Sequence, residues 1–241
     1  MSEKLAEIAH KVSKIPGAKK MLKPFYYPYK RLMIKKRNKK FRANALEALM
    51  AFDECLIANN VNYTLIFGSL LGAIREKGFI KHDLDIDVAV PIGDRNDNLY
   101  NGLKNYGFKL KRRFSIDDGT LGCEETVEYK NSGVTIDVFY ICLPIDVLPY
   151  CCCWEQYGDC VTPNESMKKY GGVIPRRIEL PFSYQFERIR FENIEVNIDK
   201  NAHQISEYSY GPNYMIPDPN YVVPKEHRVI WVEKKATYEE F

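Results

Sequence analysis

Apolar residues at Phe41, Leu46, Leu49, Met50, Phe52, Leu56 and Ile57 recur at helical spacing and predict an amphipathic helix over residues 39–60. Tyr63–Phe67 reads as a short strand that ends at Gly68-Ser69, followed by a short helix over Leu70–Glu76. Leu84–Pro91 alternates apolar and polar positions, which predicts a strand with one face buried. Asp94 is a candidate cap for a helix running to Tyr106 and closed by Gly107. Further strands are predicted over Phe108–Phe114, Thr126–Tyr129 and Val134–Ile141, with Asn131-Ser132-Gly133 turning between the last two, and Glu187–Ile198 reads as a hairpin turning at Glu192-Asn193. Residues 142–185 read as irregular, and the Tyr- and Pro-rich stretch from Asn201 as holding one short helix at most. This order predicts an α+β fold, a small mixed sheet flanked by helices. No GxGxxG follows a strand and no GxxxxGK[ST] occurs, which argues against dinucleotide binding and P-loop chemistry.

Composition narrows the class. The 241 residues are 45% hydrophobic and 28% charged, enough to bury a core and unlike a disordered or fibrous chain. No apolar run reaches the ~18 residues of a membrane span. The start MSEKLAEIAHKVSK lacks an apolar leader core, so the expected location is cytoplasmic, with a peripheral position on the inner membrane face as one option. The seven cysteines then read as mostly free, buried thiols; the run Cys151-Cys152-Cys153 with Cys160 has no CxxC pair and no nearby His to make a zinc site.

The net charge of +3 hides an asymmetry. Residues 1–43 hold 14 Lys and Arg against two Glu, and the rest of the chain is net acidic. The division that follows is a basic helical arm over residues 1–41 and a folded domain over 42–241. Pro24 and Pro28 predict that the arm is not one long helix. Between Lys19 and Arg42 cations mix with Phe25, Tyr26, Tyr27, Tyr29, Leu32, Met33 and Ile34. Three readings fit: an anionic membrane surface contacted through residues 19–42, nucleic acid as the least favoured partner, or a solvated basic helix.

Candidate chemistry concentrates in FGSLLGAIREKGFIKHDLDIDVAV, residues 67–90. Asp83, Asp85 and Asp87 alternate with Leu84, Ile86 and Val88, so on a strand the acids share one face with Cα atoms about 6.5–7 Å apart. Such carboxylates suit a hard divalent cation, Mg²⁺ or Mn²⁺, completed by water and substrate phosphates. A calcium loop would need Gly where Val88 stands. Asp137 is a lone acid in an apolar strand and a candidate third carboxylate, for metal or for a proton. Gly68-Ser69, between strand and helix, suits a phosphate, and Arg75 suits a donor phosphate. Lys81 and His82 are candidate donor or acceptor contacts. Tyr157, Tyr184, Tyr208 and Tyr210 offer aromatic faces to a substrate, with packing the plainer reading, and Arg176, Arg177, Lys225 and His227 are further phosphate candidates against a solvated surface.

Hydrophobic-Gly-Ser, a helix, alternating Asp and a later strand Asp together resemble the nucleotidyltransferase fold shared with polymerase β. More narrowly, the segment is similar to the LicD and fukutin signature G-T-L-L-G-A-h-R-x-x-G-F-I-P-W-D-D-D-I-D, matching at Gly68, Leu70, Leu71, Gly72, Ala73, Arg75, Gly78, Phe79, Ile80, Asp83, Asp85, Ile86 and Asp87; Tyr210-Gly211 also fits the family's layout. The family's Pro-Trp is Lys81-His82 here and its middle Asp is Leu84. The resemblance, over roughly Arg42–His227, implies an enzyme that uses Mg²⁺ or Mn²⁺ to transfer a phosphorylated alcohol from a CDP-linked donor, such as CDP-choline or CDP-ribitol, to a hydroxyl of a cell-surface glycan or lipopolysaccharide. It implies Asp85, Asp87 and Asp137 as catalytic and, with Asp83, metal-binding residues. The alternatives are a nucleotidyltransferase moving NMP to a small molecule or RNA end, and a non-catalytic module that binds through the basic arm.

Overall fold

The computed structural model describes residues 18–144, 148–218, 221, 229–231 and 233–241. The first element, α1, spans Ala18–Ala58 without interruption. Pro24 and Pro28 therefore do not break it, contrary to the sequence expectation. Pro28 lies in a fully solvated stretch, where water can hydrate the carbonyl that a proline leaves without an intrahelical donor. From Phe41 onward the helix buries a stripe of Phe41, Ala45, Ala48, Leu49, Phe52, Cys55 and Leu56, while Met50 and Ile57, expected on that face, are exposed.

Strand β1 (Thr64–Leu65) leads directly into α2 (Phe67–Arg75). Strand β2 (Ile86–Pro91) begins two residues later than the alternation suggested. Helix α3 (Asp97–Asn105) is capped by Asn96, whose side chain accepts the Leu99 N–H; Asp94 is instead spent in the preceding 3-10 turn. Strands β3 (Phe108–Ile116), β4 (Gly122–Tyr129) and β5 (Thr135–Ile141) follow as an antiparallel meander. The region 142–185 is not irregular. It contains β6 (Tyr150–Glu155), α4 (Pro163–Tyr170) and β7 (Ile174–Glu179). Its signals were weak for β6, a cysteine run without alternation, but plain for α4: Thr162 caps, Pro163 opens the helix and Gly171 closes it in the left-handed region. The hairpin β8 (Phe186–Phe191) and β9 (Ile194–Asp199) turns at Glu192-Asn193 as expected. After it come α5 (Ala202–Tyr210), β10 (Val229–Trp231) and β11 (Thr237–Glu240), more than the single short helix anticipated.

The main sheet has the order β1-β2-β5-β4-β3-β11; a three-stranded sheet β10-β7-β6 and the β8–β9 hairpin complete the α+β architecture. In the main sheet only β2 and β5 run parallel, in the register Asp87↔Asp137. Ile86, Val88, Ile136, Val138 and Tyr140 are buried in the core on one face, so Asp87 and Asp137 project together on the other.

The loop joining α2 to β2 is fixed by its glycines and aromatics. A Cβ on Gly72 would lie 2.5 Å from the Gly78 carbonyl oxygen, and one on Gly78 would lie 2.8 Å from the Glu192 side chain. Phe79 is wedged edge-on between Phe41 of α1 and Phe191 of β8, with ring centroids 5.1 and 4.7 Å away. We expect Gly72→Ala to push this loop off α2 and to cost about 1–3 kcal/mol in urea unfolding; an unchanged midpoint and slope would contradict this close packing.

Candidate active site

One rung of the main sheet assembles the site. Reading across four strands, Asp87 of β2 is in register with Asp137 of β5, Asp137 with Thr126 of β4, and Thr126 with Arg112 of β3. Neighbouring strands lie about 4.8 Å apart, so these side chains touch in series. The Thr126 hydroxyl donates a short hydrogen bond to Asp137 Oδ1, and it accepts one from Arg112 Nε at 2.6 Å. Arg112 also reaches Asp137 Oδ1 directly at 3.4 Å. At the other end, the buried Ser69 hydroxyl accepts the Asp87 backbone N–H at 2.9 Å.

Asp85 stands just before β2, where its carboxylate pairs with Arg37 of α1 at 3.4 Å. Asp83 does not belong to the strand. It caps the turn before it, accepting the Ile80 N–H at 2.8 Å. The expected three-acid strand face is therefore two acids on or beside β2 plus a third held on the loop. This loop is clamped from α1: Asn38 donates to the carbonyls of Lys81 at 3.0 Å and Asp83 at 2.9 Å, and Arg37 donates to the Leu84 carbonyl at 3.4 Å. Lys81 and His82 are exposed at its tip.

Gly68 lies in the first turn of α2, and a Cβ there would sit 3.9 Å from Asp83 Oδ1. That helix has no side-chain cap. Phe67 enters it at φ +48°, an uncommon conformation for a bulky residue, held by edge-on packing on Phe139 at 5.1 Å, two residues beyond Asp137 on the same face. Arg75 is engaged with Glu76 at 2.9 Å and, at 3.4 Å, with the Tyr214 carbonyl.

The electrostatics of the acids are unfavourable to one another. Burial raises the pKa of Asp87 well above the carboxylate range, and Asp85, Asp137, Glu124 and Asp83 push it further. Asp85 is raised by burial and by Asp137, against the opposing pull of Arg37 and Arg112. Asp83 is pushed to about 6, chiefly by burial. Glu124, buried on the same face of β4 as Thr126, is pushed to about 8 by burial and by Asp137. Half-buried Tyr210 at the end of α5 is also raised, by desolvation first and then by Asp87. Glu124, Thr126, Arg112 and Arg37 were not singled out in the sequence, because only strand register and helix docking bring them to Asp137 and Asp85.

Among the described residues no three His, Cys, Asp or Glu side chains converge as a complete ion cage. The donor set still fits a hard cation: it is all oxygen, partly buried and mutually repelling. Mg²⁺ is commonly held by one or two carboxylates and completed by phosphates and water. Asp85, Asp87 and Asp137 are the residues that could hold such an ion.

The remaining candidates lie elsewhere. Tyr157 packs on Tyr170, with ring centroids 5.5 Å apart, and Tyr184 lies 6.4 Å from Phe182. Arg176 pairs with Glu155 at 2.8 Å and Arg177 with Glu179 at 3.4 Å. Lys225 and His227 lie outside the described residues. All seven cysteines are free, and five of them are buried.

Residues 60–198, more than half of the chain, match the family described as the LicD/FKTN/FKRP nucleotidyltransferase domain. The chain belongs to this family. The matched residues of the LicD/FKTN/FKRP domain run from just before β1 to the end of β9 and so contain the acidic rung, its Ser69 support and the α2–β2 loop. Family membership supports a phosphotransferase-type function on glycans. No curated protein matches the chain.

The shifted acids give this LicD-family domain a pH signature. An acid with a raised folded-state pKa stabilises the fold fully below its ordinary value, and that stability is lost as pH rises through the folded value. For Glu124 the window runs from about 4.5 to about 8. In chelator-containing buffer the melting temperature should fall across this window, and Glu124→Gln should flatten the slope by several degrees; parallel slopes for the two proteins would show that Glu124 is ionised in the fold.

Proposed function

We propose that this chain is a metal-dependent transferase of the polymerase β-like nucleotidyltransferase fold, moving a phosphorylated alcohol from a CDP-linked donor to a hydroxyl of a cell-surface glycan. The observation that carries the reading is the in-register pair Asp87–Asp137, with Asp85 beside it and Gly68-Ser69 at its edge. Asp85 and Asp87, with Asp137, would hold Mg²⁺ or Mn²⁺ when the donor binds. The ion, when bound, neutralises charge on the diphosphate and on the departing CMP. The uncapped start of α2, with Gly68 open to close approach, binds donor phosphate oxygens through backbone N–H groups.

Thr126 and Arg112 fix the orientation of the Asp137 carboxylate. As the acceptor hydroxyl attacks the outer phosphorus, Asp137 takes its proton. The new oxygen–phosphorus bond forms in line with the bond to CMP, which breaks and leaves the electron pair on CMP. Arg75 contributes positive charge behind the donor, while Lys81 and His82 stand at the loop tip where donor or acceptor enters. Phosphocholine and ribitol phosphate are the first alcohols to test.

Asp85→Asn and Asp87→Asn should each lower turnover by at least about 100-fold, with Asp137→Asn in the same range. The folds should be retained, because each change removes repulsion among the acids. Turnover near wild type in either of the first two variants would refute the assignment. A donor screen in Mg²⁺ across CDP-choline, CDP-ribitol, CDP-glycerol and CDP-ethanolamine should release CMP with one of them, and EDTA should stop it. Pyrophosphate release from an NTP without CMP release from any CDP donor would point to nucleotidyl transfer instead.

A further inference from the structure

We propose that the outward face of the first half of α1 docks on an anionic lipid bilayer. From Pro28 to Arg37 every residue of the helix is exposed, so this part projects from the body. Tyr29, Leu32 and Met33 are 48%, 50% and 42% exposed, and with Lys36 they follow the i, i+3, i+4, i+7 spacing of one helix face. At about 100° per residue, that face lies roughly 160° around the helix from the buried stripe of Phe41, Ala45, Leu49 and Phe52. The apolar row therefore points away from the core and does not continue it.

The surrounding charge selects the partner. Lys30, Lys35, Lys39 and Lys40 are exposed around the row, and no acid occurs between Lys19 and Arg42 among 11 cations. Beyond residue 42 the same helix changes sign, with Glu47, Asp53 and Glu54 and no cation up to Ala58. One half is thus cationic with exposed apolar side chains, and the other is anionic and packed on the sheet. Apolar residues at the level of the headgroups, ringed by Lys and Arg, fit an anionic bilayer surface. Nucleic acid would use the cations but has little use for exposed Leu32 and Met33. The helix does not cross the membrane: none of the described helices is long and apolar enough to do so. Docking also has a consequence for the acidic loop. Met33 and Arg37 are separated by about 6 Å of helix rise, and Arg37 and Asn38 grip the loop of Asp83 and Asp85. Asn38 lies about 180° around the helix from Tyr29, so a bilayer held at the row lies across α1 from the loop that Asn38 holds.

The test is flotation of the full chain with vesicles of phosphatidylcholine alone or mixed with phosphatidylglycerol, in about 0.1 M salt, where charges are felt over ~10 Å. Binding should require phosphatidylglycerol and weaken with added salt. Leu32→Glu with Met33→Glu should weaken it by about tenfold or more, with an unchanged circular dichroism spectrum because both side chains are exposed. Lys35→Gln with Lys36→Gln should weaken binding and reduce its salt dependence. Failure to bind anionic vesicles, binding that survives the Leu32/Met33 change, or tighter binding to a duplex oligonucleotide than to vesicles would each overturn the proposal. None of these readouts uses donor turnover, so they leave the proposed reaction standing or falling by itself.

Discussion

Two carboxylates placed side by side on a parallel strand pair create a local problem that the rest of the molecule is arranged around. Asp87 and Asp137 occupy one rung, and burial strips away the water that would separate their charges. In such a setting at least one of a coupled set of acids holds a proton, or a cation joins them. The protein supplies only partial relief. Thr126 and Arg112 take up one oxygen of Asp137, and Arg37 stands at Asp85, but the groups acting most on Asp87 are acids. A divalent cation bound with substrate would remove the repulsion, so the clustering of acids favours the species it is proposed to bind.

Holding that arrangement needs rigidity on both sides of β2. Ser69 fixes the backbone of Asp87 from α2, whose own start is forced into a tight entry by Phe67 on Phe139. The loop carrying Asp83 and Asp85 is set by Gly72 and Gly78, by Phe79 between Phe41 and Phe191, and by Asn38 from α1. Several signature residues thus act by shaping the backbone around the acids. Gly72 matters for the absence of a Cβ against a carbonyl, and Phe79 for bridging α1 and the hairpin.

What was legible in the sequence follows from the range of the interactions involved. Period-two alternation revealed β2 and β5, the turn at Glu192-Asn193 marked the β8–β9 hairpin, and a lone Asp in an apolar strand pointed to Asp137. Strand pairing is not written in local pattern, so the rung that brings Arg112 and Thr126 to Asp137 was invisible, as was Glu124 beside it. The reading of Asp83 failed for a related reason. Alternation across 83–88 looked like strand, but the Ile80 N–H turns Asp83 back into a cap before the strand begins. The long α1 was missed because proline was given its usual penalty for a buried helix interior, where no water reaches the orphaned carbonyl. Strand β6 gave no signal, because a run of small buried thiols lacks the alternation that marks a half-buried strand.

Strand β4 carries two buried acids of opposite surroundings within two residues. Glu124 and Glu125 are adjacent and both nearly inaccessible, yet alternation sends them to opposite faces. Glu125 is fully answered: Arg113 donates at 2.6 Å, and the Tyr100 and Tyr140 hydroxyls donate at 2.8 Å each. A buried carboxylate so paired holds a sheet face together and needs nothing from outside. Glu124 instead faces Asp137, with Arg112 as its opposing charge, and its carboxyl is pushed to about 8. A fold selected for stability alone would treat both positions like Glu125. The sheet keeps this repulsion on the face that also carries Asp87 and Asp137, where Arg112 and Trp154 offset it only in part.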